Sequence, residues 1–305
     1  MQNTELILDR IRLQKTNTTL KIAIIIVVLI IGGIIFAEQS DIFRGSKEDY
    51  IGILQIDNII MDDAKFDKLL DDIEKSQSIK AIVLSINSPG GSSGASEKIY
   101  HRLKKMSSKT PIVSSMGTVA ASGGYLVSLA GQRIFAMNMT ITGSIGVLFQ
   151  VTELVEAAEK LGIKFRSYKS SPLKAAPNPM EAPTPEVEKA AMDIINDSCE
   201  YFVSLVAENR KMTIDEAKKV SDGRIYTGRL ALNNKLVDEI GTTEDAINWL
   251  KKEYTLDENI KVKLLKPKRL SALSEAILDN IDEEVRSFYT KFLQMISIPA
   301  FVSLQ

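Results

Sequence analysis

Two clusters of serine and glycine and one isolated lysine are the residues of this chain suited to chemistry. The first cluster, SPGGSSG at 88–94, follows an apolar run and precedes a helical pattern. Glycines there let the backbone approach a ligand and leave amides pointing at it, although a strand-to-helix turn also takes glycine for conformational reasons alone. The second, GTVAASGGYL at 117–126, sets Ser122 between alanines and glycines at the start of a helical stretch. Small neighbours leave room for a tetrahedral intermediate, the helix N-terminus favours developing negative charge, and the Gly123 amide is placed to donate to an oxyanion. A helix-capping serine is the competing reading of the same residues.

A serine hydroxyl is a poor nucleophile until a base takes its proton. The one histidine, His101, sits among Tyr100, Arg102, Lys104 and Lys105 on the solvated side of a helical pattern, so it reads as a surface residue. If Ser122 is a nucleophile its partner is another group, and a neutral lysine is the usual substitute. An ordinary lysine has a pKa of about 10.4. Lowering that by roughly three units costs about 4 kcal/mol, which burial can impose. The lysine sought therefore lies in an uncharged neighbourhood. Lys174, in SSPLKAAPNPM, has no charged neighbour between Lys169 and Glu181, and the prolines around it fix a non-helical loop. A lysine on a solvated surface loop is the alternative.

Composition narrows the remaining classes. The chain has 305 residues, and its 45% apolar content is enough for a real core. The 38 basic and 39 acidic side chains leave a formal charge of -1, which provides no footprint for nucleic acid. One cysteine, Cys199, excludes an intramolecular disulfide, and with one histidine a Cys/His zinc site cannot be assembled. No metal or cofactor is expected. Cys199, near Ile194, Ile195 and Phe202, reads as an inert core thiol.

The elements that position these residues follow from periodicity. IGILQI at 51–56, AIVLSI at 81–86, PIVSSM at 111–116, RIFAM at 133–137, IGVLFQ at 145–150, IKFRSY at 163–168 and KLVDEI at 235–240 read as strands. Ala95, Ile99, Leu103 and Met106 mark one helical face. Leu154, Val155, Ala158 and Leu161 mark another, closed by Gly162. Thr184 and Pro185 open a long helix to about Arg210, Thr213 with Glu216 forms a capping box, a short helical piece lies around Leu230, and a last helix runs from Glu244 to about Tyr254. Such alternation implies an α/β fold with a mainly parallel sheet covered by helices. No internal duplication is visible.

Residues 22–37, IAIIIVVLIIGGIIFA, form an uncharged apolar run that would span about 24 Å as a helix, and Leu20 with the stem of Lys21 extends it. Arg10, Arg12, Lys15 and Lys21 precede it whereas Arg44 and Lys47 follow, so the basic bias places the N-terminus in the cytoplasm and the remainder outside. A cleaved signal peptide is the competing reading, with only a weak site at Ile35 and Ala37. The expected organisation is a cytoplasmic segment at 1–21, a transmembrane anchor at 22–37 in contact with membrane lipid, a linker at 38–49, a catalytic domain at 50–265 and a tail at 266–305. The tail turns basic and then amphipathic, and packs on a neighbour, on a membrane or on its own domain.

SPGG at 88–91, SMGTVAASGGY at 115–125, TGSIGV at 142–147, the isolated Lys174 and DGRIYTGRLALNNKLVDEIG at 222–241 together resemble the signal peptide peptidase A family, peptidase family S49, in its short single-domain form. The match runs from about Tyr50 to Leu265, with the candidate serine and lysine 52 positions apart. The resemblance implies a ClpP/crotonase-like fold, a sheet superhelix with covering helices. It implies Ser122 as nucleophile, Lys174 as general base, Ser144 as the serine that orients Lys174, and an oxyanion hole from the amides of Gly91 and Gly123, with Gly90 the alternative to Gly91. It further implies a homo-oligomeric ring with sites shared between subunits. The expected substrates are remnant signal peptides or other short apolar peptides at the cytoplasmic membrane, cut by a single-pass protein whose catalytic domain is extracytoplasmic. Two other readings stay open: a crotonase-like acyl-thioester enzyme, and a membrane peptide-binding scaffold whose dyad has lapsed.

Overall fold

The computed structural model describes residues 48–266. In chain order the elements are β1 (Tyr50–Ile60), α1 (Ala64–Lys75), β2 (Ile79–Gly91), α2 (Ser93–Ser107), β3 (Ile112–Ala121), α3 (Gly123–Ser128), β4 (Ile134–Ala136) and β5 (Ile141–Gly143). They continue with α4 (Val155–Lys160), α5 (Pro185–Arg210), α6 (Ile214–Lys219), β6 (Ile225–Thr227), α7 (Gly228–Asn233), β7 (Glu239–Ile240), α8 (Thr243–Glu253) and β8 (Lys261–Leu265).

The apolar runs of β1, β2 and β3 have no polar alternation because both faces of the sheet they form are covered. Leu54, Ile56, Ile82, Leu84, Ile86 and Ile112 point into the main core with α2, α3 and α5. Ile51, Ala81, Val83 and Val113 point to the opposite face, where Ala246 and Leu250 of α8 close a smaller core with Phe135. The strand order is β6-β5-β3-β2-β1-β8, with β4 paired to β3 and to β7. All pairings are parallel except β5 with β6.

One irregularity matters for the site. Along β2 and β3 the register runs Ile86↔Met116 and then Ser88↔Ala120, so Asn87 faces three residues, Gly117, Thr118 and Val119. The bulge's polar groups are satisfied locally. Val119 N–H donates to Asn87 Oδ1 (3.1 Å), and Thr140 Oγ1 donates to the Gly117 carbonyl (2.7 Å). Below the bulge β3 pairs with β4 through Ser114–Met116; above it β3 pairs with β5 through Val119–Ala121. The upper half thereby acquires its own neighbour, which ends beside Ser122.

The long helix begins where its cap predicts, with Val187 N–H donating to Thr184 Oγ1 (3.3 Å) and Pro185 at the first turn. The Thr213–Glu216 capping box is present. Cys199 is half-buried and packs on the main core.

Residues 145–184 depart from the expected elements. IGVLFQ is not a strand; the strand here is β5, just before it. IKFRSY forms no strand either, and KLVDEI contributes only Glu239–Ile240. The helix around Ala158 forms, yet no residue of α4 is buried, and Leu161 is 75% exposed. Periodicity reports which residues suit a covered strand or helix, and from Leu148 to Phe165 the apolar side chains Leu148, Phe149, Leu161, Ile163 and Phe165 stay exposed. KLVDEI differs: Leu236 and Val237 are buried in the main core, and only its end reaches β4 to pair.

The expected anchor at 22–37 and nearly all of the tail at 266–305 lie outside the described residues. Among the described residues no helix is long and apolar enough to cross a membrane, and no group of His, Cys, Asp and Glu is placed to hold a metal.

Candidate active site

Ser122 stands at the turn from β3 into α3, with φ 52° and ψ -122°. That conformation is costly for a residue with a Cβ, on the order of 1–3 kcal/mol. It is held by backbone bonds on both sides: Ser122 N–H donates to the Gly143 carbonyl (2.8 Å), and Leu126 N–H donates to the Ser122 carbonyl (2.9 Å). The hydroxyl makes no capping bond to α3, so the reading of Ser122 as a helix-capping side chain does not hold. The side chain is half-buried, which leaves it open to a second reactant. Behind it α3 is buried throughout, and Tyr125 O–H anchors it by donating to the Leu236 carbonyl (2.9 Å).

The SPGG turn lies directly against this serine. A Cβ on Gly90 would meet Ser122 Cβ at 2.9 Å and Gly123 N at 2.8 Å, and Gly90 has φ +106°. Only glycine satisfies both conditions. A Cβ on Gly123 would fall 2.3 Å from Ser96 Oγ on α2, which shows how tightly the α3 start is seated. The turn is fixed from within by Ser88, whose fully buried hydroxyl accepts from Gly90 N–H (3.1 Å). The next amide along the turn after Gly91, that of Ser92, donates to the Ile60 carbonyl (2.8 Å). Gly90 is buried and Gly91 exposed.

Strand register brings the two serines together. Ala121 pairs with Gly143, so Ser122 and Ser144 occupy adjacent positions just past the carboxyl ends of β3 and β5, which lie one strand spacing apart, about 4.8 Å. Ser144 is itself left-handed, φ 49°, with its amide donating to the Arg224 carbonyl (2.8 Å) in the loop before β6. Thr142 is fully buried, and its hydroxyl donates to the Ala120 carbonyl (2.6 Å), which locks the two strands immediately below the serines.

Lys174 is exposed, on a loop of the 145–184 segment, and lines a cleft of about 630 Å³ with Phe165, Tyr168, Lys169 and Asn178. Neither Ser122 nor Ser144 lines that cleft. The structure thus brings together Ser122, Ser144, Gly90, Gly91 and Gly123, whereas Lys174 is exposed and lines a cleft that neither serine lines. His101 is on the surface, with its ring nitrogen bonded to Tyr201 Oη (2.8 Å), remote in role from the serines.

The chain matches the family described as Peptidase family S49 over residues 104–257, a range that includes Ser122, Ser144 and Lys174. Protein MJ0651 of Methanocaldococcus jannaschii, whose name provisionally calls it a protease, is 34% identical over 275 residues, covering 81% of this chain and 88% of that protein.

The chain belongs to peptidase family S49.

An Enterococcus faecium protein provisionally named signal peptide peptidase SppA is 38% identical over 187 residues, 61% of this chain and 54% of its own length. The chloroplastic serine protease SPPA of Arabidopsis thaliana is 33% identical over 218 residues, 70% of this chain and 32% of its own. The chain therefore spans about half of one of these relatives and a third of the other. Membership makes it a serine peptidase, and the acyl-thioester and lapsed-scaffold readings give way to that assignment.

One contributor at the turn lies outside the residues singled out from the sequence: Ser88, whose hydroxyl takes the Gly90 amide, and a serine ahead of a turn is a weak sequence signal for such a bond.

Proposed function

We propose that this chain is a membrane-anchored serine endopeptidase in which Ser122 attacks the scissile carbonyl and Lys174 acts as general base. The observation that carries the reading is Ser122 itself: a strained, half-buried serine with an uncommitted capping hydroxyl, at a strand-to-helix turn, in register with Ser144. Strain of this kind persists where the surrounding structure over-determines it, and it clusters at functional sites.

The oxyanion hole is assigned to the amides of Gly91 and Gly123. Gly90 N–H is spent on Ser88 Oγ, which favours Gly91 over its neighbour, and Gly123 begins α3, where the helix end favours negative charge. Lys174 takes the Ser122 proton and returns it to the leaving amine, and Ser144 orients the ammonium. Because Lys174 is exposed and its cleft is lined by neither serine, the reading has the dyad completed by a second copy, in a ring of ClpP/crotonase-like subunits. The exposed apolar side chains of the same segment, including Leu148, Phe149, Leu161, Phe165 and Tyr168, support burial between copies.

Short apolar peptides, such as remnant signal peptides, are the proposed substrates. Ile59 and Met61 are exposed at the end of β1, beside Gly91, where they line a cleft of about 220 Å³ with Ile56, Phe66 and Ile99. Asp57 and Asp63 line the same cleft, and its apolar part beside the Gly91 turn suits aliphatic side chains. The 22–37 run would hold the domain at the outer face of the cytoplasmic membrane. Purified full-length protein should cleave an apolar peptide, and Ser122→Ala should abolish cleavage. Persistent cleavage by Ser122→Ala refutes the assigned nucleophile.

A further inference from the structure

Lys174 is the one charged residue between Lys169 and Glu181, and the two flanking charges meet each other. Lys169 Nζ forms an ion pair with Glu181 Oε2, and its side chain is only 16% exposed. Asn178 ties the rest of the loop to the same oxygen. Its Nδ2 donates to Glu181 Oε2 (3.1 Å) and to the Ala175 carbonyl (3.2 Å), and its Oδ1 accepts from Met180 N–H (2.9 Å). Within the loop, Lys174 N–H donates to the Ser171 carbonyl (3.1 Å) and Ala176 N–H to the Leu173 carbonyl (3.2 Å), bracketing a left-handed Ala175.

We propose that Glu181 is a positioning residue: it clasps the loop that carries Lys174 and cancels the charge of Lys169, so that one uncompensated lysine is presented to the serine. The proposal rests on Lys174 being the base. Lysine 169 lines the same cleft as Lys174. The other titratable or charged groups lining that cleft are Arg166 and Tyr168, and no carboxylate lines it. Glu181 therefore decides whether the second ammonium in the cleft is balanced. Its carboxyl is held down at about 2, first by Lys169 and then by Ser167 and Asn178. The clasp stays shut at any pH where a lysine base operates.

The charge balance yields a signature that loss of loop structure alone does not produce. Glu181→Gln keeps the shape but frees the Lys169 ammonium, which disfavours protonation of its neighbour and moves the acidic limb of the kcat–pH profile to lower pH. Lys169→Met frees the Glu181 carboxylate and moves the limb to higher pH. The double variant removes both charges and returns the limb toward wild type. Glu181→Ala, which also opens the loop, should lower kcat by about a hundredfold, the scale of a misplacement of about 1 Å, with KM changed by less than about twofold.

The experiment measures these profiles on the full-length protein with an apolar peptide, alongside Lys174→Ala and the oligomeric state of each variant. Should Glu181→Ala not assemble, the isosteric Glu181→Gln still carries the readout. Opposed limb shifts with recovery in the double variant support the clasp. Unmoved limbs, or limbs that move in one direction for both single variants, overturn it while leaving an inactive Lys174→Ala as support for the base. Activity retained by Lys174→Ala overturns the base and the clasp together.

Discussion

Ser122 combines a reactive group with an unfavourable backbone, and the two are separable. At φ 52° and ψ -122° a glycine pays no Cβ penalty, so Ser122→Gly should raise stability, by about 1 kcal/mol, while abolishing peptide cleavage. Thermal unfolding of the variant beside wild type checks this. An unchanged or lower melting temperature would mean that Ser122 is not strained. At this scale much was legible in advance. Alanines before Ser122 and glycines after it signal a crowded turn, and the absence of a usable histidine directs attention to lysine. What could not be read were pairings made across the fold: Ser88 with Gly90, and Lys169 with Glu181, the two charges that bound the uncharged stretch.

Among the elements, β3 does the most to build the site. Its bulge at Gly117–Val119 lets one strand pair first with β4 and then with β5, and the second pairing sets Ser144 beside Ser122. The strands β1 to β4 and the helices α2, α5, α6 and α8 were legible, since apolar runs and caps mark them independently of context. The bulge was not, because register depends on Asn87 and Thr140 meeting the freed backbone groups from other parts of the chain. Nor was the failure of IGVLFQ and IKFRSY to form strands, since an apolar pattern cannot report whether a neighbour exists. The cap of α5 offers a quantitative check. Thr184→Ala removes the bond from Val187 N–H and should cost about 1 kcal/mol, a fall of roughly 2–4 °C in melting temperature. The helix follows the loop that carries Lys174, so activity should fall only in step with stability; a far larger loss of activity would mean that the cap sets the loop's position.

At the scale of the whole molecule, the described chain holds a serine, its neighbouring serine and the glycine turns in one place, and the candidate base on an exposed loop lining a cleft that neither serine lines. The proposed sharing of a site between copies would unite them and would cover the exposed apolar side chains of residues 145–184. Mixing Ser122→Ala with Lys174→Ala, each inactive alone, should therefore restore part of the activity under conditions that let subunits exchange. No recovery from demonstrably mixed assemblies counts against shared sites. The central claim, that Ser122 is made nucleophilic by Lys174, has a more direct test. Full-length wild type, Ser122→Ala and Lys174→Met are treated with a fluorophosphonate, and the modified residue is located by mass spectrometry. The account predicts labelling of wild type at Ser122, none in Ser122→Ala, and labelling slowed by about a hundredfold or more in an intact, assembled Lys174→Met. Label on another residue, or an undiminished rate without the lysine, would contradict it.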